Sequence, residues 1–131
     1  MVMVDSSIWI DAFNGINSWQ VRALSELLGK ETIYLGDIIL AEVLQGIRHE
    51  GDFENIKSEL DKFPCANLLG KKMAIISAQN YRRLKNKGIT VRKIVDVIIG
   101  TFCIENGFTL LHNDKDFLPM EKHLGLKTIR E

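Results

Sequence analysis

The sequence predicts a three-layer α/β/α domain in which helices cover both faces of a small parallel sheet. Short apolar runs at residues 1–4 and 108–111 lack alternating polar residues, a pattern typical of strands that are buried on both faces. Between such runs, apolar residues recur three and four positions apart, which is typical of amphipathic helices. Because short strands alternate with helices, we expect a parallel sheet connected by right-handed crossovers.

The chain has 131 residues, of which 46% are hydrophobic and 26% are charged, so we expect one domain over residues 1–131 with a single core. No apolar run approaches the roughly 20 residues that a membrane span needs, and the amino terminus lacks the features of a secretory signal. We therefore expect a cytoplasmic protein with no membrane association. Cys65 and Cys103 form no ligand motif, and we expect small buried side chains rather than a disulfide.

The first strand ends at a carboxylate, Asp5. The pattern then changes to helical spacing, and Ser6 or Ser7 is a candidate cap for the helix that follows. In open α/β sheets, ligands bind beyond the carboxyl ends of the strands, so Asp5 is a candidate site residue. Alternatively, Asp5 itself caps the helix, as aspartates at strand ends commonly do.

The first half of the chain continues with three helices and a second strand, several of which end at glycine or proline. The helix predicted over residues 53–63 carries more apolar surface than a small peripheral helix normally exposes. This surface favours a homodimer unless it packs on the protein's own core. The predicted elements are a helix over residues 19–29, a strand over 32–35, a helix over 38–48 that Asp37 is expected to cap, and a helix over 53–63.

The second half contains an apolar segment at residues 94–104 whose β-branched residues allow a strand but whose length favours a buried helix. Thr90 is its candidate N-cap, and Gly107 is its candidate C-terminal cap. Gly100 lies inside this helix at a cost of about 1 kcal/mol, which predicts close packing there. The predicted elements are a weak strand over residues 65–69, a helix over 71–87, the helix over 94–104, a strand over 108–111, a short helix over 115–123 and an edge strand over 127–129.

Four carboxylates, Asp5, Glu42, Asp96 and Asp114, stand at strand ends or inside apolar helical segments rather than on polar helix faces. Burial of an ionised carboxylate is costly unless something compensates the charge, so we expect a cation among them. Oxygen ligands without clustered Cys or His favour Mg²⁺ or Mn²⁺ over Zn²⁺. Such an ion lowers the pKa of bound water and stabilises charge on a phosphoryl group, so the pattern predicts phosphodiester hydrolysis.

Each acid also has a structural alternative. Glu42 could lie at the helix edge with its carboxylate in solvent, and Asp96 could pair with Arg92 four residues earlier. Asp116 could belong to a helix start in which Asn113 is the N-cap. All of these alternatives must hold together for the predicted site to disappear.

Lysine plus arginine and aspartate plus glutamate both number 17, so the net charge gives no indication of a nucleic-acid ligand. The segment from residue 82 to 93 is nevertheless basic and contains no acid, so it either attracts phosphate or forms a solvated helix end. The three histidines lack ligand spacing and are expected in solvent or capping positions. The candidate RNA-binding residues in the basic segment are Arg82, Arg83, Arg92 and Lys93.

Four segments, in this order, resemble the motifs of PIN-domain proteins, and in particular those of VapC-type toxins from bacterial toxin–antitoxin pairs. Together they extend over essentially the whole chain. The segments are VDSSIWID at residues 4–11, LAEVLQG at 40–46, GITVR at 88–92 with Asp96, and LLHNDKDF at 110–117.

The resemblance implies a Mg²⁺- or Mn²⁺-dependent ribonuclease with strand order 3-2-1-4-5. It also implies a cognate VapB-type antitoxin, a homodimer, and a heterotetramer or larger complex with the antitoxin. By the same resemblance, Asp116 matches an acid that approaches metal in some members, and Ser6 or Ser7 matches a hydroxyl within the acidic cluster. The four principal acids of the family are matched by Asp5, Asp96 and Asp114, which are expected to bind the ion, and by Glu42, which is expected to position or deprotonate the attacking water.

Two other interpretations remain open. A receiver-type signalling domain also combines a small parallel sheet with an acidic Mg²⁺ pocket, but it should show paired acids after the first strand and an aspartate after the third. Here Ser6 and Ser7 follow Asp5, and the weak third strand near Cys65 has no aspartate. The second alternative is a catalytically silent PIN-like binding module, against which the four retained acids argue.

Overall fold

A five-stranded parallel sheet forms the centre of the fold in the computed structural model, which describes residues 1–131. Its strands are β1 (Val2–Val4), β2 (Ile33–Gly36), β3 (Cys65–Ala66), β4 (Thr109–Leu111) and β5 (Lys127–Thr128). The strand order is β3-β2-β1-β4-β5, so the predicted fold class and strand order are confirmed. A receiver-type domain has the different order 2-1-3-4-5, so that alternative is wrong.

Seven α-helices and one 3₁₀ turn complete the fold, and they lie within a few residues of the predicted segments. The helix predicted over residues 53–63 begins and ends earlier, and the one predicted over 115–123 begins as the 3₁₀ turn Lys115–Phe117. The helices are α1 (Ser6–Phe13), α2 (Trp19–Leu27), α3 (Asp37–Gln45), α4 (Glu50–Leu60), α5 (Lys71–Asn86), α6 (Ile94–Asn106) and α7 (Leu118–Leu124).

The register between the two central strands determines where polar residues of the chain meet. In the parallel pair of β1 and β4, Val4 lies opposite Leu111, and the Asp5 N–H donates to the Leu111 carbonyl at 3.0 Å. All three residues of β1 are buried, as expected for a strand covered on both faces. The residues that follow β1 and β4 therefore lie side by side at the same edge of the sheet.

Helix α6 is the buried helix that the length of its apolar segment predicts. Gly107 ends it in the left-handed conformation with φ 71°, as expected, but Lys93 rather than Thr90 is the N-cap. Gly100 lies against the side chain of Met120, which is fully buried, so that an added Cβ would overlap it. The close packing predicted at Gly100 is confirmed.

Two further helix starts differ in part from the prediction. Asp5, the alternative cap, rather than Ser6 or Ser7, occupies the N-cap position of α1, but its side chain makes no capping hydrogen bond. Asp37 is the first residue of α3 rather than its cap, and its Oδ1 accepts a hydrogen bond from the Leu68 N–H at 3.0 Å. Asp37 Oδ1 also accepts a hydrogen bond from the Ile38 N–H at 2.8 Å, so this carboxylate joins the start of its own helix to the segment after β3. Helical propensity does not describe the contact with Leu68.

The apolar side of α4 packs on the protein's own core. Leu60 is buried and Ile56 packs against the core, while the Phe63 ring, just after the helix, has its centroid 5.0 Å from that of Trp9. Part of the surface that was expected to favour a homodimer is therefore used within the chain. The homodimer remains a prediction that rests on the family resemblance.

Both cysteines are free thiols. Cys103 is buried as predicted, and burial, with a smaller contribution from Asp5, raises the pKa of its thiol to about 12. Cys65 is exposed, contrary to the expectation, because β3 lies at the edge of the sheet. None of the helices is both long and apolar enough to cross a membrane.

We expect Gly100→Ala to lower the free energy of unfolding by about 1 kcal/mol. Alanine favours a helix by about 1 kcal/mol, but overpacking against the buried Met120 side chain costs about 1–3 kcal/mol. In the control Gly51→Ala in α4, the space around an added Cβ is open, so stability should rise by about 0.5–1 kcal/mol. Chemical denaturation measures both changes, and a Gly100→Ala protein more stable than the parent would contradict this account.

Candidate active site

The four predicted acids surround one cleft at the carboxyl ends of the strands. Asp5 follows β1 and Asp114 lies beyond β4, while Glu42 comes from α3 and Asp96 from the first turn of α6. The cleft has a volume of about 440 Å³ and no hydrophobic residue in its lining. It is lined by Asp5, Ser6, Ser7, Glu42, Lys93, Asp96, Asn113, Asp114 and Lys115.

Two acids of the cleft are almost fully buried, and two carboxylate oxygens in it lack a hydrogen-bond partner. Asp5 and Asp96 are only 5% and 6% exposed. Asp96 Oδ2 and Glu42 Oε1 are buried and have no hydrogen-bond partner, so Glu42 does not turn this oxygen to solvent. A buried carboxylate oxygen without a partner is destabilising, and a bound cation would offset that cost.

Asp116 joins two of these acids in a tighter group. One carboxylate oxygen from each of Asp96, Asp114 and Asp116 lies within 4.8 Å of the others. Arg92 Nη2 lies 3.7 Å from Asp116 Oδ2, so this arginine pairs with Asp116 and not with Asp96. Asp114, rather than Asn113, caps the 3₁₀ turn, because its Oδ1 accepts a hydrogen bond from the Asp116 N–H at 2.9 Å.

Of the two candidate hydroxyls, Ser7 is the one that contacts the acids. Its Oγ lies 2.9 Å from Asn113 Oδ1 and 3.4 Å from Asp5 Oδ2. A hydroxyl donates one hydrogen at a time, so the shorter bond to Asn113 is favoured. Ser6 lines the cleft. The bond from Ser7 to Asn113 connects the segments that follow β1 and β4.

The basic segment divides into a part at the cleft and a part outside it. Lys93 lines the cleft, and Arg92 reaches one of the neighbouring acids. Arg82 and Arg83 lie on α5 and are not part of the cleft lining. Lys115, which was not among the predicted basic residues, also lines the cleft. Positive charge is therefore present beside the carboxylates.

His112 is a residue of the site that its sequence spacing did not predict. Its side chain is 8% exposed rather than in solvent, and it lies between Glu121 and Asp114. Nδ1 accepts a hydrogen bond from the Asp114 N–H at 3.1 Å, and Nε2 lies 3.1 Å from Glu121 Oε2. The sequence signal that could have indicated this role is its place directly after a buried strand and two residues before Asp114.

Burial and mutual repulsion raise the pKa of the two buried acids. The pKa of Asp5 rises to about 7, chiefly through burial, while one backbone N–H opposes the rise and the neighbouring carboxylates add to it. The pKa of Asp96 rises to about 6, again chiefly through burial, with Asp114 adding to the rise and Lys93 opposing it. Without a cation, these carboxyl groups therefore hold protons close to neutral pH.

The donor set of the cleft fits a hard divalent cation. The groups that could serve as ligands are carboxylate oxygens, and no Cys or His lines the cleft. Mg²⁺ and Mn²⁺ prefer such oxygen ligands, whereas Zn²⁺ sites usually include nitrogen or sulfur. The unpartnered oxygens of Glu42 and Asp96 are the specific observation behind this fit.

Comparison with known sequences gives one family and several relatives. The family model of the PIN domain matches residues 2–122. The ribonuclease VapC11 of Mycobacterium tuberculosis is 27% identical over 119 residues, which cover 89% of each chain. A VapC ribonuclease of Mycobacterium bovis matches to the same extent.

Several solved structures share the fold. A chain of VapBC2 from Rickettsia felis, solved with a DNA fragment from the promoter, superposes with a TM-score of 0.74 at 22% identity, covering 98% of each chain. A chain of a toxin–antitoxin complex from Klebsiella pneumoniae has a TM-score of 0.70 at 21% identity, covering 89% of this chain and 90% of its own. FitAcB from Neisseria gonorrhoeae has a TM-score of 0.75 at 16% identity, covering 99% of this chain and 97% of its own. At these identities the likeness establishes the fold alone.

We expect the metal-free protein to lose stability as the pH rises from about 4 to about 8. Folding raises the pKa of Asp5 from 3.8 to about 7 and that of Asp96 from 3.8 to about 6, so the folded state binds more protons than the unfolded state in this interval. This stabilisation is complete below the unfolded pKa and is lost as the pH passes through the folded values.

Thermal melts in EDTA across this pH range measure the effect. Asp96→Asn should flatten the dependence, because it removes one of the two groups responsible. A melting temperature that rises steadily toward pH 8 in EDTA would contradict the expected sign.

Proposed function

This chain belongs to the PIN domain family, and from that membership we propose that it is a metal-dependent endoribonuclease and the toxin of a VapBC-type toxin–antitoxin pair. We take residues 1–131 as a single PIN-like domain that acts in the cytoplasm, where its RNA substrate is found. The observation that carries the proposal is the acidic cleft with buried, unpartnered oxygens on Glu42 and Asp96. The relatives named as VapC ribonucleases support RNA as the substrate.

We assign the ion to Asp5, Asp96 and Asp114, with Glu42 and Asp116 beside them. The close group formed by Asp96, Asp114 and Asp116, together with the burial of Asp5, supports this assignment. When bound, Mg²⁺ or Mn²⁺ would supply Lewis acidity toward water and toward the phosphoryl group of RNA. The positive charge of the ion would in turn offset the burial and the mutual repulsion that raise the pKa of Asp5 and Asp96.

We assign separate roles in RNA cleavage to the other side chains of the cleft. Glu42 is assigned to the attacking water, because its Oε1 is buried, has no partner and can accept a proton. Lys93 and Lys115 bring positive charge to the cleft, where they would contact the phosphates that flank the cleaved bond. Ser7 keeps the segments after β1 and β4 together through its bond to Asn113.

A second cleft supports the antitoxin part of the proposal. It has a volume of about 540 Å³ and lies between α1, α3 and α4, with Ile10, Phe13, Val43 and Ile56 among its lining residues. An amphipathic helix places its apolar face in such a groove. We therefore propose that a cognate VapB-type antitoxin binds here, as the VapBC names of structural relatives suggest for those proteins.

The acidic cleft offers the antitoxin a means of inhibition. An arginine guanidinium binds two carboxylate oxygens as a fork, so an antitoxin arginine placed in the cleft would compete with the metal ion. The family resemblance also supports a homodimer, and with the antitoxin a heterotetramer or larger complex.

Asp96→Asn should reduce the cleavage of structured RNA by about 100-fold or more, because one charge is lost from the ion site. The variant should fold, and its metal-free melting temperature should equal or exceed that of the parent, because a buried charge and its repulsion are removed. Asp61→Asn is the matched control, since Asp61 is exposed and pairs with Lys57 outside the cleft.

Cleavage is measured with purified protein in Mg²⁺ and in EDTA. Undiminished cleavage by a folded Asp96→Asn protein would contradict the assigned site. A folded parent protein that binds the ion but cleaves no RNA would instead indicate a catalytically silent PIN-like binding module.

Expression of this chain alone should arrest growth, and co-expression of the small protein encoded beside it should restore growth. Phe13→Asp should weaken that rescue, because Phe13 lines the second cleft and is 38% exposed, so the charge enters the groove without entering the core. Leu28→Asp is the control, since Leu28 is 45% exposed and lies outside that cleft. A chain that is harmless alone, with no co-purifying neighbour-encoded protein, would exclude the toxin assignment and leave the nuclease assignment standing.

A further inference from the structure

A series of hydrogen bonds links Thr128 and Arg130 to the acidic cleft. Glu121 on α7 is at its centre, where Oε1 accepts from the Thr128 hydroxyl at 2.8 Å and from Arg130 Nη2 at 3.2 Å. The other oxygen, Oε2, lies 3.1 Å from His112 Nε2. His112 Nδ1 then accepts the backbone N–H of Asp114 at 3.1 Å.

The direction of these bonds determines the tautomer of the imidazole. Because Nδ1 accepts a hydrogen bond, the ring proton lies on Nε2 and is donated to Glu121. The side chains of His112 and Glu121 are 8% and 11% exposed. The His112 ring also packs against Phe117 at a tilt of 50°, with ring centroids 4.8 Å apart, so two hydrogen bonds and one aromatic contact restrict its orientation.

We propose that His112 is a positioning residue for the Asp114 carboxylate, an inference that rests on the proposed metal site. The chain leaves β4 at Leu111, so the Asp114 N–H is no longer in the sheet ladder, and its partner is a side chain. His112 holds the backbone at Asp114, and Glu121 holds His112. Hydrogen bonds to the residues that bind a metal keep their side chains oriented, and the loss of such a bond commonly lowers metal affinity by about 10–100-fold.

Two substitutions of nearly equal shape separate this role from general packing. His112→Asn keeps an acceptor atom near the position of Nδ1, whereas His112→Leu has a methyl group there. Both variants lose the donor to Glu121, so the comparison isolates the bond to the Asp114 N–H. Mn²⁺ affinity is measured by titration calorimetry, and thermal melts of the metal-free proteins report on folding.

We expect His112→Leu to bind Mn²⁺ about 10-fold or more weakly than the parent, and His112→Asn to bind it within about 3-fold. Both should melt at a lower temperature than the parent, since both break the contact with Glu121. Equal affinities for the two variants, whether both retained or both reduced, would overturn the proposal, because a merely structural histidine affects them alike.

A third variant covers the case in which His112→Leu does not fold. His112→Gln places an amide nitrogen near Nε2 and keeps the donor to Glu121, but it has no acceptor at the Nδ1 position. Its Mn²⁺ affinity should also fall by about 10-fold, and unchanged affinity would overturn the proposal. If the parent protein itself binds no Mn²⁺, the proposed metal site fails, and this result is distinct from a parent that binds with variants that do not differ.

Discussion

The parallel pairing of β1 with β4 is the interaction on which the candidate site depends. The Asp5 N–H bond to the Leu111 carbonyl extends the ladder past the end of β1, so the chain leaves both strands at the same level. Asp5 then stands beside the segment that carries Asp114, and Ser7 binds Asn113 across the gap. A slip of one residue in this register would turn each side chain to the opposite face and separate the acids.

In this small protein, burial of the apolar core stabilises the folded state, whereas burial of the carboxylates beside it destabilises the folded state. Asp96 lies in the first turn of α6, and the residues from Val97 to Thr101 that follow it are all buried, so a carboxylate is held in the most apolar helix of the chain. Its place in the first turn reduces the cost, because the helix dipole favours a negative charge there. A cation would remove much of the remaining cost, so metal binding and folding stability are coupled in such a site.

Much of the fold was predictable because each element has a local signal. Apolar runs and helical spacing identified the strands and helices, and Gly107 and Gly100 indicated a helix end and a close contact. The strand order came from the resemblance to a family, since periodicity does not say which strands are neighbours. Likewise, the four acids stood out because they interrupt apolar segments.

The remaining features depend on contacts between distant parts of the chain. His112 binds Glu121 on α7, and Arg92 turns to Asp116 rather than to the nearer acid in sequence. The same applies to Phe63, just after α4, whose ring packs against Trp9 instead of forming part of an exposed apolar surface. Local sequence patterns do not predict these partners, because they are determined by how whole helices and strands pack together.

The shortness of the two outer strands has a consequence for how this protein meets other chains. Each of β3 and β5 has two residues, and Lys127 opens one of them, so neither edge offers a long row of free backbone N–H and C=O groups. Such edges disfavour strand addition and sheet-to-sheet aggregation at high concentration. Recognition by another protein is therefore directed to the helical surfaces, where side chains rather than backbone groups decide which partner is accepted.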